Sequence, residues 1–424
     1  MGHSRISAAA RNPPSAPLAL YLERTGRIMK ELSAIASQVK ASTTLELDAL
    51  YKQMKADGVD VIGFAAGEPD FATPEHIKYA GISAIVNNDT KYTPAAGTIQ
   101  LRKAVCQRLK EDMGLDYEPA NIICSSGAKH CLYLALKALI NPGDEVIVVE
   151  PAWVTYNEIV RMVEGVPVSV LTRETDDFML TPEELEAAIT PKTKCIMLNN
   201  PSNPTGMLYY KEELEALAEV CVKHDLYIIS DEIYCNLLYD GLKFTSMASL
   251  GEEVKKRTIL INGVSKSYAM TGWRIGYLAA SKEIISVVAK YLSHSTGNPS
   301  APAQAAALAA LTGPQECVEE MRKAFEERRN YMVYRMNTIP GVSCLKPEGA
   351  FYVMMNITAL LGKVIHGKLI NNADDFGEVF LKEGLVCIVP CTGFGDPHFL
   401  RWSYATSMEN IKEGLDRLER FLAE

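Results

Sequence analysis

No stretch of the 424-residue chain is apolar for anything near the roughly 18 residues that a membrane-crossing helix needs, so a helical channel or carrier is excluded. An excess of positive charge is missing too: 43 Lys and Arg stand against 52 Asp and Glu, a net charge of −9. That balance argues against nucleic acid as a partner, and any anion must be held at a local site. Cysteine is sparse, ten residues scattered between Cys106 and Cys391. So few in so long a chain do not make a disulfide scaffold; reduced thiols, most of them small buried hydrophobes, are expected, with the cytoplasm as the compartment. The tightest pair, Cys387 and Cys391, has no matching second pair, so no metal site is expected. Neither G-x-x-x-x-G-K-[ST] nor G-x-G-x-x-G occurs, and there is no internal repeat or low-complexity tract.

What is present is a globular composition, 48% hydrophobic and 22% charged, on a chain long enough for two or three domains or one large α/β domain with an appendage. Residues 1–28 have no acidic residue before Glu23, and their one apolar stretch, APLALYL, is at the lower limit of signal-peptide length. This leader is expected to lie outside the fold, either as a stretch ahead of a natural start at Met29 or as a weak targeting peptide.

From Val59 onward short apolar runs alternate with helical patterns. NIICSSG (121–127), EVIVVEP (145–151), CIMLNNP (195–201), LYIISDE (226–232) and TILINGVSK (258–266) read as strands. Glu183–Ile189 and Lys211–His224 read as helices, the first announced by Thr181-Pro182-Glu183-Glu184 as cap, N1 proline and capping box. Such alternation predicts a mainly parallel sheet with helices on both faces and chemistry at the carboxyl ends of the strands. After about residue 315 the pattern changes to a long charged helix (Val318–Met336), a strand (Ala350–Met355), a helix near Asp374–Glu383 and a short VCIVP run. That predicts a smaller α+β domain. The expected division is an arm and part of the small domain at 29–75, a large domain at 76–315, and the rest of the small domain at 316–424.

Four strand ends carry unusual polar groups. NIICSSGAKH runs from a strand through Gly127 and Ala128 into a helix (Lys129–Leu139), offering free N–H groups and the positive end of a helix dipole to a phosphate; an ordinary strand–helix turn reads the same way. Asp231 ends an apolar strand with Tyr234 three residues on, where a carboxylate needs a cation or strong donor unless it is simply a cap. NNPSNPTG (199–206) is a turn with two prolines that presents the Asn203 amide. Lys266 follows Ser265 at the mouth of a buried strand, with Arg274 eight residues later. A lysine there is a nucleophile only if desolvation and nearby cations free its amine; otherwise it is a solvated side chain. Together the four ends supply what one cofactor requires: a Schiff-base lysine, a carboxylate for a ring nitrogen, a phenol and an amide for a ring hydroxyl, and a phosphate cup.

The wording and order of these segments resemble the class I aminotransferases of fold type I, which use pyridoxal 5'-phosphate. The motifs are GEPDF (67–71), KYTPAAG (91–97), NNPSNPTG, SDEIY (230–234), SKSYAMTGWRIGY (265–277) and RWSYA (401–405), and the likeness runs from about Ser33 to the end. Within the family the chain is most similar to the bacterial and archaeal aspartate aminotransferases and the related prephenate aminotransferases. The resemblance implies that Lys266 binds the cofactor as a Schiff base and then shuttles a proton, and that Asp231 keeps the ring nitrogen protonated. It implies that Tyr234 and Asn203 bond the ring hydroxyl and Trp153 stacks on the ring. Gly127, Ala128, Ser265 and Arg274 would hold the phosphate, with Tyr92 from a second copy of the chain, hence a homodimer with shared sites. Arg401 would grip the substrate α-carboxylate beside the Gly67 backbone; Lys129, aided by Thr44, would meet a distal carboxylate, and Lys40 would stand near the entrance. The implied substrates are an acidic amino acid, aspartate first, and a 2-oxo acid, 2-oxoglutarate.

Three rival readings are weaker. Ser37-x-x-Lys40 fits the S-x-x-K of some serine hydrolases, but K-T-G and S-D-N are absent and the pattern is not at a strand end. A β-lyase on the same cofactor would share the lysine, aspartate and arginine, so Lys129 is what favours transamination. A ligand-sensing regulator would need an added DNA-binding module, and residues 1–28 are too short and unpatterned to be one.

Overall fold

The computed structural model describes residues 32–40 and 43–423, without the side chains of 43–45 and 48. The leader at 1–28 therefore falls outside the described residues. The chain divides into a first unit ending at Val39 and a second from Lys40 onward. In the first, the described residues include the helix Ala34–Gln38, capped by Ser33, whose hydroxyl accepts the Ala36 N–H at 3.4 Å.

The second unit opens with the helix Thr43–Ala56 and a two-residue strand, β1 (Ile62–Gly63). The central sheet then forms from β2 (Ile122–Ser125), β3 (Glu145–Glu150), β4 (Val166–Leu171), β5 (Thr193–Asn199), β6 (Tyr227–Asp231), β7 (Thr258–Gly263) and β8 (Gly276–Ala279). Their spatial order is β2-β8-β7-β6-β5-β3-β4. All neighbours are parallel except β8, which is antiparallel to both β2 and β7. Two reversals cancel, so β2 still points the same way as β7. The interior strands are apolar runs buried on both faces; all six residues of β7 are buried, as expected of strands covered by helices on each side.

Helix Ala128–Leu139 shows why the covering layer forms. Cys131, Leu132, Leu134, Ala135, Leu136 and Leu139 are buried, a stripe wide enough to seal one face of the sheet. Helix Pro182–Ala188 starts with the anticipated capping box: Thr181 Oγ1 accepts from the Glu184 N–H at 3.2 Å, and Glu184 Oε2 accepts from the Thr181 N–H at 3.0 Å.

Beyond the long helix Glu316–Met336, β9 (Tyr352–Asn356) lies beside β14 (Phe399–Ser403), and β14 beside β13 (Val389–Pro390), all antiparallel. A hairpin joins β10 (Val364–Ile365) to β11 (Lys368–Leu369), and β12 (Val386–Cys387) pairs in parallel with β1, tying the segment near residue 62 to the C-terminal region. Phe325, Phe351, Phe376, Phe380, Trp402 and Phe421 form the aromatic centre of this part of the core.

Fold class and the five foreseen strands agree with the sequence reading. VCIVP, read as one run, is split by Ile388 into β12 and β13, which join different sheets. The reading had not singled out β4, an edge strand carrying Pro167 where a ladder N–H is dispensable, nor β8, four residues between a loop and a helix. It had also not singled out the C-terminal helix Met408–Ala423. Among the described residues no helix is long and apolar enough to cross a membrane, and no group of three His, Cys, Asp or Glu is placed to hold a metal ion.

Candidate active site

At the carboxyl edge of the central sheet a cavity of about 510 Å³ is lined by residues from nearly every strand end discussed above. Strand order explains the layout. Neighbouring strands stand ~4.8 Å apart, so β2, β7, β6 and β5 deliver Ala128, Lys266, Asp231 and Asn203 in sequence across the edge. Because β8 runs backward, its amino end lies at that same edge, and this brings Arg274 there from only two residues upstream.

One end of the cavity is built for an anion. Gly127 caps helix Ala128–Leu139 at φ 87°, a conformation that favours glycine, and a Cβ on it would lie 2.2 Å from Arg274 Nη2. The guanidinium therefore stands directly against the helix N-terminus, whose first N–H groups have no acceptor within the helix. Arg274 is held by the Thr271 carbonyl (2.8 Å) and the Ser126 carbonyl (3.4 Å). Gly276 permits the approach from the other side, since a Cβ there would fall 2.2 Å from the Ala128 nitrogen. Ser265, 7% exposed, also lines the cavity.

Lys266 is half-buried in the middle. Its Nζ donates to the Gly67 carbonyl at 2.5 Å and faces the rings of Tyr234 and Phe351 at 5.9 and 5.8 Å. Burial pulls its pKa down to about 8; Glu68 and Asp231 oppose the fall, while Arg401 and Arg274 add to it. At neutral pH roughly one amine in ten is then free, against fewer than one in a thousand for an ordinary lysine.

Asp231, 4% exposed, lies beyond. Its Oδ2 accepts the Tyr156 phenol at 2.8 Å and its Oδ1 the Ile233 N–H at 3.3 Å. Burial nevertheless raises its pKa to about 6 despite both bonds, so it is largely an anion at neutral pH. Tyr234 shares a 2.9 Å hydrogen bond with Tyr352 through their hydroxyls, and burial holds the Tyr234 phenol well above its usual range.

The last wall is cationic. Arg401, 2% exposed on β14, donates from Nη1 to Asn203 Oδ1 and from Nη2 to the Ala65 carbonyl, both at 2.9 Å, and lies 4.4 Å from the Tyr352 ring centre. Its buried Nε has no partner, and among the described residues no carboxylate pairs with it. A buried guanidinium with neutral partners alone is costly, and this one faces the cavity ready for an anion. Lys129 Nζ sits 4.8 Å from the Trp153 ring centre, its pKa lowered by burial and then by Arg274.

Most of the residues singled out from sequence thus meet around one cavity. Three do not. Tyr92 is 98% exposed and is not part of its lining. Lys40 lines a neighbouring cavity of about 690 Å³, which shares Lys129 and Arg274 with the first, and its backbone N–H bonds Glu158 Oε2 at 3.0 Å. Thr44 lies on helix Thr43–Ala56, with its side chain outside the described residues. The cavity also holds residues that sequence reasoning passed over: Tyr156, Tyr352, Asn199 and Glu68. Glu68 and Asn199 lie within the GEPDF and NNPSNPTG motifs, whereas Tyr156 and Tyr352 carry no local signal.

The donor set can be compared with the chemistry of pyridoxal 5'-phosphate. A helix N-terminus and a guanidinium match a phosphate dianion, a partly free amine matches an aldehyde, and a buried anion matches a ring nitrogen. The residues fit the group.

The chain is similar to known proteins over most of its length. Residues 59–418 match the family model described as aminotransferase class I and II. An aspartate aminotransferase of Geobacillus stearothermophilus is 48% identical over 397 residues, 93% of this chain and 99% of that protein. An aspartate/prephenate aminotransferase of Cereibacter sphaeroides is 44% identical over 398 residues, 93% of this chain and 99% of the relative. Among solved structures, an aspartate aminotransferase from Rhizobium meliloti superposes with a TM-score of 0.89 at 42% identity, covering 92% of this chain and 98% of the other. That of Thermus thermophilus with maleate superposes with a TM-score of 0.87 at 40% identity, covering 93% and 100%.

Proposed function

This chain belongs to the class I and II aminotransferases, and on that premise we propose that it moves the amino group of an acidic amino acid, aspartate first, to 2-oxoglutarate, with pyridoxal 5'-phosphate bound at Lys266. The observation that carries the substrate reading is a pair of cations at the cavity without carboxylate partners among the described residues. These are Arg401, with its orphaned buried Nε, and Lys129 over Trp153. A dicarboxylate supplies an anion for each. The Thermus relative's complex with maleate, also a dicarboxylate, supports the same reading.

Bound there, the cofactor supplies an electron sink that lets a proton leave the substrate Cα. Gly127, Ala128, Ser265 and Arg274 would hold the phosphate; Asp231, kept in place by Tyr156, would keep the ring nitrogen protonated; Asn203 and Tyr234 would bond the ring hydroxyl, and Trp153 would pack against the ring. Lys266 takes the proton from Cα as a free amine, a task its lowered pKa suits. Arg401 binds the α-carboxylate in a two-pronged grip beside Gly67, and Lys129 selects the distal carboxylate. Tyr92, exposed and outside the lining of its own cavity, would serve the phosphate of a second copy in a homodimer.

Prephenate as an acceptor is the second reading, supported by the Cereibacter relative's name and by Lys40 in the adjoining cavity that shares Lys129. An amino-donor screen against 2-oxoglutarate, oxaloacetate and prephenate tests both. Aspartate with 2-oxoglutarate is expected to lead; equal turnover of alanine and aspartate contradicts the acidic-substrate reading. Borohydride treatment is expected to fix the cofactor on Lys266, and a colourless protein that pyridoxal 5'-phosphate does not reconstitute contradicts the whole proposal.

A further inference from the structure

Among the described residues lining the cavity, Glu68 and Asp231 are the carboxylates, set against Lys52, Lys129, Lys266, Arg274 and Arg401. Asp231 is engaged by Tyr156. Glu68 lies on the GEPDF strap, outside every strand and helix. Its Oε2 accepts the Thr271 hydroxyl at 2.6 Å, and the Thr271 carbonyl in turn accepts Arg274 Nη1 at 2.8 Å. The preceding residue of the strap, Gly67, takes the Lys266 amine on its carbonyl. The strap is fastened further along as well: Thr73 donates to the Ala269 carbonyl at 2.7 Å and accepts from Trp273 Nε1 at 3.1 Å, and Asp70 pairs with Arg328 at 2.7 Å. Two adjacent residues therefore reach the cofactor lysine and, through Thr271, the phosphate arginine.

We infer that Glu68 is a positioning residue of this site: its carboxylate fixes Thr271, and through it the Arg274 guanidinium over the helix N-terminus, while supplying negative charge toward the Lys266 amine. The inference rests on the cavity being the cofactor site. Lys266 is faced by Glu68 and Asp231, by Arg401 and Arg274, and by the Tyr234 and Phe351 rings. Of the charges, Glu68 acts most strongly on it, and it opposes the loss of the proton. Removing that charge makes the amine easier to free.

The test compares full-length chains carrying Glu68→Gln, Glu68→Ala and Thr271→Val. Without cofactor, acetic anhydride labelling of Lys266 is followed against pH by peptide mass spectrometry. With cofactor, the Kd for pyridoxal 5'-phosphate is measured by equilibrium dialysis. Glu68→Gln keeps an acceptor for Thr271 but loses the charge, so its labelling midpoint is expected to fall by about 0.5–1 pH unit with Kd nearly unchanged. Thr271→Val cuts the link without touching the charge: Kd rises about tenfold and the midpoint stays. Glu68→Ala does both, and if it fails to fold the other two variants decide. An unmoved midpoint in Glu68→Gln, or an unmoved Kd in Thr271→Val, overturns the inference. Should the parent chain itself fail to bind the cofactor on Lys266, the functional reading falls instead; the labelling midpoints are read without cofactor and separate the two failures.

Discussion

The phenol of Tyr156 donates to Oδ2 of Asp231 across 2.8 Å, with both residues buried at the wall of the cavity. This bond favours the ionised carboxylate, against burial that favours the acid. Tyr156→Phe removes the donor without opening much space. The expected result is an acid limb of the pH–kcat profile displaced to higher pH, because Asp231 holds its proton longer, and a kcat about tenfold lower at neutral pH. An acid limb that stays in place contradicts the role given to this bond.

Arg401→Lys keeps the charge and discards the planar fork. Lysine cannot reach Asn203, Ala65 and a carboxylate together, so kcat/KM is expected to drop about a hundredfold or more for every amino donor alike. Steady-state kinetics with aspartate and alanine check the uniformity of the loss.

Lys129→Ala is expected to discriminate between those donors. Aspartate loses a charge-assisted contact, worth about 10- to 100-fold in kcat/KM, while alanine changes little. Equal effects on both donors, or an unchanged KM for aspartate, rule out the selector role.

Glu232 offers a stability test separate from catalysis. It is fully buried, its Oε1 accepts hydroxyls from Ser230 and Ser246 at 2.8 Å each, and its Oε2 has no partner. Burial raises its pKa from 4.5 to about 8. The folded chain thus holds a proton that the unfolded chain has already released. Stability from this group is present below pH 4.5 and is lost as pH rises toward 8. Glu232→Gln, which cannot ionise, is expected to flatten the fall in Tm between pH 5 and pH 8.5; a parallel curve for variant and parent refutes the account.

Gly276→Ala tests the closeness of β8 to the helix N-terminus. A methyl 2.2 Å from the Ala128 nitrogen forces backbone apart, so a loss of about 2 kcal/mol in stability and weaker cofactor binding are expected together. Calorimetry and dialysis on the same sample check both.

How much of this was readable in the sequence depended on whether the signal was local. Apolar runs ending in Lys266, Asp231 and the Asn203 turn mark strand ends, and a parallel sheet gathers strand ends whatever the details of packing. Thr181-Pro182 encodes its capping box within four residues. Tyr156 is different: it bonds a residue 75 positions away, and nothing near it in sequence marks it as more than a helix aromatic. Tyr352, buried within β9, reads as core for the same reason. Glu68 was quoted as part of a motif, yet its partner Thr271 lies 203 residues on. Strand β8 escaped notice because four residues carry too little periodicity to register.

That short strand has a consequence for how the site tolerates motion. Residues 258–279 leave along β7, cross the edge and return along β8, so Lys266 and Arg274 belong to one closed excursion anchored at both feet in adjacent strands. Their separation is set within a single loop, like the span of a staple, both feet of which stand in paired strands. Arg401 arrives from β14, on another sheet, and has no such tether. On the proposed reading, a shift of that second sheet would change the grip on substrate while leaving Lys266 and Arg274 in register with each other.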